Sequence, residues 1–389
     1  MTTARPLPSQ RSEFSVEDGV HYLNCAYFGP LPKSVEAAGI AGIRMKSSPA
    51  PFPSTNFFTD IDGLKTEFAR LVGGEAHRVA VVGSVSYAVS AAADNVCAGP
   101  GQNIVIVEDQ FPSNVYAWQR LAAERDLEIR VVGRPGPPPS RGLWNDRVLS
   151  AIDVATAVVA LPQHHWTDGS LFDLVAAGRL ARQVGAALIV DASQTVGAAP
   201  FSVSEVQPDM MVTVAYKWLM GPYSLGAAHF GPRFDDGRPL EAGWMGREGA
   251  EDFSRLAEYT SHYRPGAARY DAGETSNFIT VPMMREALRR ISEWDPASIE
   301  LRLGELLTPL AEAAGELGWP CEDEAWRARH FLGLRLPDHV DPEAFDRALA
   351  AERVYLSRRG GSLRVSPGVF SEESDIGALI GVMRSVSSG

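Results

Sequence analysis

Short apolar runs alternate along the first two thirds of the chain with segments whose apolar residues recur every three or four positions. Runs of strand length occupy residues 79–82, 104–107, 129–132, 156–161 and 187–190. Helical periodicity predicts helices at residues 34–46, 60–71, 87–96, 115–124 and 174–184. This alternation predicts an α/β fold with a mostly parallel sheet flanked by helices.

The pattern changes near residue 286. A helical run to residue 317, a helix at 342–352 and a final helix from Glu373 are interleaved with short strands at 331–336, 354–357 and 363–366. We therefore expect an N-terminal arm (1–45), a large α/β domain (46–285) and a small C-terminal α+β domain (286–389). A chain of 389 residues is long enough for two cores.

The composition narrows the function classes. Apolar residues make up 45% of the chain and charged residues 22%, as in an ordinary globular protein, and the formal net charge of −12 argues against nucleic acid and anionic membrane surfaces as partners. Cys25, Cys97 and Cys321 are odd in number and widely spaced, which favours neither disulfides nor a zinc site. The first eleven residues include no apolar core segment, and no later apolar run approaches membrane-spanning length. We therefore expect a cytoplasmic protein that is neither exported nor anchored, and we expect no metal.

Lys217 follows the apolar run 210–216 and is the residue that most needs an explanation. A buried ammonium group is costly, so the side chain either reaches water or has a lowered pKa and is used as an amine. Asp191 lies 26 positions earlier, at the end of another predicted strand. The carboxyl ends of parallel strands meet at one edge of a sheet, where sites usually form. An acid and an imine-forming lysine are the two groups that pyridoxal phosphate requires from a protein.

Five motifs, taken together, are more specific than this spacing. They are Leu23-Asn-Cys-Ala-Tyr-Phe-Gly-Pro30, Glu108-Asp-Gln-Phe-Pro-Ser-Asn114, Val190-Asp-Ala-Ser-Gln194, Tyr216-Lys-Trp-Leu-Met-Gly-Pro222 and Leu363-Arg-Val-Ser-Pro367. Their order resembles that of the class V aminotransferase family. This branch of the fold type I pyridoxal-phosphate enzymes contains cysteine desulfurases, kynureninase and isopenicillin-N-epimerase-like proteins. The resemblance extends from about His21 to Met383.

The resemblance implies pyridoxal 5'-phosphate as cofactor, Lys217 as its imine-forming lysine and Asp191 as the acid that protonates its ring nitrogen. The other positions it assigns to the cofactor are Val85, Ser86 and Tyr216 at the phosphate, Phe111 on the ring, Gln194 at the phenolic oxygen, Trp166 nearby, and Trp244 and Thr275 from a second subunit. The last two imply a homodimer with shared active sites.

For a small amino-acid substrate, the resemblance implies that Arg364 binds the α-carboxylate and that Cys25 and Tyr27, in the arm, approach the substrate. Each position also has a structural interpretation. Phe111 and Trp166 are equally typical of a core, Ser86 and Thr275 of helix caps, and Arg364 of a solvated charge cluster with its neighbours.

The family's reactions include desulfuration, β-elimination, epimerisation, decarboxylating deamination and transamination. A desulfurase needs a mobile cysteine shortly before the carboxylate-binding arginine, but residues 357–363 contain none. We therefore predict a carbon–sulfur β-lyase that acts on a cysteine conjugate in specialised metabolism. An epimerase, a decarboxylating deaminase or an aminotransferase of the same family stays open, and so does a non-catalytic regulator or scaffold on this fold.

Overall fold

The computed structural model describes residues 4–50 and 52–387. A seven-stranded sheet forms its centre, in the order β2-β8-β7-β6-β5-β3-β4. The strands are β2 (Val79–Val82), β3 (Asn103–Val107), β4 (Glu128–Val132), β5 (Thr156–Pro162), β6 (Ala187–Asp191), β7 (Met210–Val214) and β8 (Gly226–Phe230). Strand β8 runs in the opposite direction to the other six, so its pairings with β2 and β7 are antiparallel and the remaining pairings are parallel. Most of these strands are buried on both faces, as their continuous apolar runs require.

Helices cover both faces of this sheet and complete the C-terminal part. Their bounds are α1 (Lys33–Ser47), α2 (Asn56–Val72), α3 (Val85–Asn95), α4 (Tyr116–Arg125), α5 (Leu143–Ser150), α6 (Leu174–Val184), α7 (Val203–Val206), α8 (Thr280–Trp294), α9 (Pro296–Leu317), α10 (Pro342–Ala351) and α11 (Glu373–Ser387). Gly73 and Gly185 end α2 and α6 in the left-handed conformation that favours glycine.

The C-terminal part has its own antiparallel sheet of β9 (Leu332–Arg335), β12 (Ser362–Val365) and β11 (Ser357–Arg359), packed with α9, α10 and α11. The arm is tied to this part because β1 (His21–Tyr22) pairs in parallel with β10 (Val354–Tyr355). These contacts are compatible with the three predicted domains, whose boundaries stay a prediction.

The mostly parallel sheet and the α+β C-terminal part confirm the predicted fold class. Several local predictions were incomplete. Helix α5 was not predicted, and the predicted strand 354–357 is divided between β10 and β11. Strand β8 was not predicted, and the helical run before residue 317 is two helices, because Asp295 has a positive φ of 62° and caps α9 through the Ser298 amide. Strand β7 ends at Val214 rather than running to Lys217, since the chain turns there and the Gly221 amide bonds to the Ala215 carbonyl.

Candidate active site

Two neighbouring parallel strands bring Asp191 and Lys217 to one cavity. Asp191 is the last residue of β6 and pairs in register with Val212 of β7, and Lys217 follows the end of β7 by three residues. The cavity has a volume of about 340 Å³. Its lining includes Gly83, Ser84, Val85, Ser86, Phe111, Asp191, Ser193, Tyr216, Lys217 and Tyr223.

A second cavity, of about 320 Å³, lies on the other side of Lys217. It shares Phe111, Tyr216, Lys217 and Tyr223 with the first, so the two form one cleft with the lysine at their junction. The residues that only the second cavity contains are Ala26, Tyr27, Phe28, Trp166, Arg359 and Arg364. Hereafter we call the two halves the Asp191 cavity and the Arg364 cavity.

Lys217 is a buried amine with a lowered pKa. Its exposed fraction is 7%, and burial lowers its pKa from 10.5 to about 8; Asp191 opposes this shift, whereas Arg364 and Arg359 add to it. Its Nζ atom lies 5.1 Å from the centroid of the Phe111 ring. Among the described residues it forms no ion pair. An amine in this state is partly unprotonated near neutral pH and is available as a nucleophile or base.

The N-terminal arm fixes the backbone of this lysine. The Gly29 amide donates to the Tyr216 carbonyl at 2.9 Å, and a Cβ atom on Gly29 would overlap the Lys217 carbonyl oxygen. Only glycine allows the two segments to approach so closely. In the sequence, Gly29 was included only as a member of the motif at residues 23–30, so this role was missed.

The far end of the Asp191 cavity is the N-terminus of α3. Ser84 caps the helix by accepting from the Tyr87 amide at 3.1 Å, and the helix begins at Val85. The first amides of a helix have no partner within it and, with the helix dipole, favour an anion. The Ser193 hydroxyl, in the same cavity, is buried and has no hydrogen-bond partner in the described chain. This cradle fits a phosphate group.

Asp191 and Gln194 are held by their surroundings. The Asp191 carboxylate, 8% exposed, accepts from the Ser193 amide at 3.0 Å. The Gln194 side chain accepts from the Trp218 indole N–H at 2.8 Å and donates to the Ala26 carbonyl at 3.0 Å. These bonds fix the orientation of the amide and leave one of its N–H groups for another acceptor. A phosphate cradle, a fixed carboxylate and a buried amine in one cavity together fit pyridoxal phosphate.

Arg364 is a buried cation without a carboxylate partner among the described residues. It is 2% exposed, its Nη1 donates to the Trp166 carbonyl at 2.6 Å, and its Nε has no partner. Burial, followed by the charge of Arg359, lowers its pKa to about 9. An unpaired buried guanidinium group is costly, and a bound anion such as a carboxylate would satisfy it. Arg364 therefore marks the Arg364 cavity as an anion site.

Several predicted residues line the cleft, and others lie elsewhere. Val85, Ser86, Phe111, Trp166, Asp191, Tyr216, Lys217, Arg364 and Tyr27 all line one of the two cavities. Gln194 lies beside Ala26, at the wall. The Cys25 side chain lies in the core, and burial raises the pKa of its thiol.

Trp244 packs against Phe58 and Phe253, and the Thr275 hydroxyl lies 4.0 Å from the sulfur of Met245. Within one chain neither residue reaches the cleft. Tyr223, Arg359 and Ser193 line the cleft but were not predicted. Tyr223 and Ser193 stand inside or next to the quoted motifs, so nearness to a motif was the signal that could have found them.

The described residues contain neither a membrane-spanning helix nor a metal-binding cluster. No helix is long and apolar enough to cross a lipid bilayer. No group of three or more histidine, cysteine, aspartate or glutamate side chains is arranged to hold a metal ion.

Comparison with known proteins places this geometry among relatives. The family model described as "Aminotransferase class-V" matches residues 51–362. The "Uncharacterized aminotransferase YcbU" of Bacillus subtilis is 27% identical, over 65% of this chain and 65% of its own length. Isopenicillin N epimerase of Streptomyces clavuligerus is 24% identical, over 95% of both chains. Kynureninase of Pseudomonas fluorescens is 29% identical, over 79% of this chain and 75% of its own.

Solved structures show the same fold at low sequence identity. The cystine C–S lyase C-DES, in complex with its reaction product cysteine persulfide, superposes with a TM-score of 0.82 at 16% identity and covers 95% of this chain and 98% of its own. A cysteine desulfurase from Thermococcus onnurineus NA1 has a TM-score of 0.80 at 17% identity, over 99% and 100%. This likeness confirms the predicted fold.

Proposed function

Because the chain belongs to the class V aminotransferase family, a family of pyridoxal-phosphate enzymes, we propose that it is a lyase that breaks the Cβ–S bond of a cysteine conjugate. Water completes the reaction, and the products are a thiol, pyruvate and ammonia. The observation that carries the proposal is the position of Lys217, a buried amine between a phosphate cradle and an unpaired buried arginine.

The residues of the Asp191 cavity would hold the cofactor. The amides of Val85 and Ser86, with the Tyr216 hydroxyl, would bind its phosphate, and the Phe111 ring would cover its pyridine ring. Asp191 would keep the ring nitrogen protonated, and Gln194 would donate to the phenolic oxygen. When bound, pyridoxal phosphate supplies a sink for the electron pair left when a bond at the substrate Cα breaks.

The residues of the Arg364 cavity act on the substrate. Arg364 binds the α-carboxylate and so orients the Cα–H bond toward the amine of Lys217. Lys217 Nζ takes the Cα proton as a general base, which its lowered pKa allows near neutral pH. The protonated amine then supplies a proton to the departing sulfur. Phe111, Trp166 and Tyr27 limit the access of water.

The positions of the cysteines support elimination over desulfuration. Cys25 is buried in the core, Cys97 is exposed just after α3, and Cys321 lies in the C-terminal part; burial raises the pKa of the Cys25 and Cys321 thiols. Persulfide transfer needs an accessible thiolate at the substrate. Among the described residues that line the cleft, none is a cysteine. A solved C–S lyase with the same fold is compatible with this choice.

The test is to incubate the holoenzyme with S-substituted cysteines in heavy water and follow products by NMR. A lyase gives thiol and pyruvate in equal amounts. Deuterium at Cα without thiol would instead indicate an epimerase, carbon dioxide a decarboxylating enzyme, and a pyridoxamine form an aminotransferase.

Lys217→Ala should abolish both thiol release and the visible absorption band of the lysine-bound cofactor. Lys46→Ala, at an exposed lysine of α1, is the matched control. Thiol release unchanged in Lys217→Ala would refute the proposal.

We also propose a homodimer with shared active sites. Tyr27 and Tyr223, which flank the cleft, are 55% and 62% exposed in the single chain, and Phe28 between them is also exposed. Such a patch is typical of an interface. Trp244 and Thr275 would contact the cofactor of the partner. Co-expression of Lys217→Ala with a Trp244→Ala chain should then give one intact site per mixed dimer, which is half of wild-type activity in mixed dimers and about a quarter in a random mixture. No restoration would contradict sharing.

We further propose that the protein works in the cytoplasm. The support is that all three cysteines are free, as is usual in a reducing compartment. Fractionation of the source cells followed by detection of the chain would test this location.

A further inference from the structure

The Arg364 cavity holds more positive charge than an amino-acid carboxylate can balance. Lys217, Arg359 and Arg364 all line it, and among its described lining residues none is acidic. Arg359 and Arg364 both lower the pKa of Lys217, so their charges act on the same space. One α-carboxylate satisfies Arg364 and leaves the charge of Arg359 without a counterpart.

The hairpin of β11 and β12 places the two arginines side by side. Ser357 pairs with Arg364 and Arg359 pairs with Ser362, so both arginines stand on the same face of the hairpin, as diagonal neighbours. Diagonal positions of an antiparallel pair are about 7–8 Å apart. Two long arginine side chains that start from positions this far apart can bind two separate anionic groups of one molecule rather than share one.

Arg359 is partly buried, and its side chain lines the cavity. Its guanidinium carbon lies 5.3 Å from the centroid of the Tyr27 ring, and its Nη1 donates to the Arg358 carbonyl at 2.8 Å. None of the described carboxylates forms an ion pair with it. Its neighbour Arg358, on the opposite face, is exposed and pairs with Asp346 at 2.9 Å. Of the two adjacent arginines, Arg359 therefore lines the cleft and Arg358 does not.

From this geometry we infer that Arg359 determines substrate specificity, and that the preferred substrates are amino acids whose side chain ends in a second anionic group such as a carboxylate. Arg364 binds the α-carboxylate, and Arg359, backed by the Tyr27 ring, binds the distal anion. The inference rests on the proposed function for the identity of the α-carboxylate site. For a lyase it specifies cysteine conjugates with an acidic substituent on sulfur.

The test uses two probes that differ in charge but hardly in shape, S-carboxymethylcysteine and S-carbamidomethylcysteine. With the holoenzyme, we expect the acid to bind at least tenfold more tightly than the amide, as measured by the initial change in the cofactor's visible spectrum after rapid mixing, before product accumulates. In Arg359→Gln this ratio should fall to about 1–2. Arg359→Lys should keep part of it, and the matched control Arg358→Gln should keep all of it.

The ratio separates specificity from other effects of Arg359. Removing this charge also changes the pKa of Lys217, but that change acts on both probes equally and cancels in the ratio. Release of mercaptoacetate and pyruvate tests the lyase reaction separately, because probe binding is measured whether or not sulfur leaves. Equal binding of the two probes by the wild-type protein, binding of neither, or an unchanged ratio in Arg359→Gln would each overturn the inference.

Discussion

Replacing Arg364 by methionine removes a buried guanidinium group while keeping much of its aliphatic volume. Arg364 is 2% exposed, and its only described hydrogen bond is to the Trp166 carbonyl, so it is not part of an ion pair that holds the fold together. If its role is to bind the substrate α-carboxylate, the change removes two charge-assisted hydrogen bonds, each worth about 1.5–3 kcal/mol in a buried site. Because water partly replaces these hydrogen bonds, we expect the stabilisation of the transition state to fall by about 3–4 kcal/mol.

That free energy corresponds to a fall in kcat/KM of about 100- to 1000-fold, since about 1.4 kcal/mol is a factor of ten. The assay is thiol release over a range of substrate concentrations, together with the visible absorption band as a measure of cofactor binding. We expect the band to persist, because Arg364 lines only the Arg364 cavity. The exposed Arg358→Met is the control, and it should change kcat/KM less than twofold.

A second readout comes from the lysine. The positive charge of Arg364 helps to lower the pKa of Lys217, so its removal should raise that pKa toward the ordinary value. A kcat/KM within threefold of wild type, or an equal loss of activity and of the visible band, would refute the assignment of Arg364 to the substrate.

Three further predictions concern the contact between the arm and the Lys217 backbone, the pKa of Lys217, and the buried ion pair of Lys65 and Asp271. Gly29→Ala forces the arm and the Lys217 carbonyl apart. It should lower kcat by about 100-fold, the order expected when a reacting group is displaced by about 1 Å. The control Gly315→Ala, whose added Cβ atom meets no neighbour, should leave kcat unchanged. The rate at which the apoenzyme takes up pyridoxal phosphate should rise with pH and level off above about 8, because Lys217 loses its proton there rather than near 10.5; a rise that continued to pH 10 would contradict the lowered pKa. Lys65→Met leaves the buried carboxylate of Asp271 without its ion-pair partner at 2.7 Å and should cost about 3–5 kcal/mol in urea unfolding. The double variant with Asp271→Asn, which keeps an acceptor for the Val81 amide, should recover part of this loss, and a loss below 1 kcal/mol in Lys65→Met would contradict the reasoning.

Sequence reasoning located the parts of the site that are local in the chain. Asp191 and Lys217 each follow a strand whose apolar run is unmistakable, and the order of strands in a parallel sheet brings their ends together. Val85 and Ser86 were located in the same way. A strand, a short loop of small residues and then a helix place the first amides of the helix at the cavity. In each case one strand and the turn after it determine where the side chain lies.

What could not be predicted depends on contacts between distant segments. The fit of Gly29 against the Lys217 backbone joins residues far apart in sequence, and nothing near Gly29 indicates which segment it will meet. Strand β8 has the sequence Gly-Ala-Ala-His-Phe, whose side chains are too small to form a recognisable apolar run, yet the strand pairs with both β2 and β7. The buried pair of Lys65 and Asp271 joins α2 to the loop before α8, and each residue alone is typical of a surface.

Arg358 and Arg359 show most directly what the sequence alone cannot predict. They are identical residues, adjacent in the chain, and composition or charge pattern treats them as one basic cluster. Register alone separates them: Arg359 shares a face of the hairpin with Arg364, and Arg358 does not. A shift of the hairpin by one residue would exchange their roles and reverse which of them lowers the pKa of the amine at Lys217. Which arginine reaches the cleft is therefore decided by strand pairing, which is a property of the folded C-terminal part and not of the local sequence.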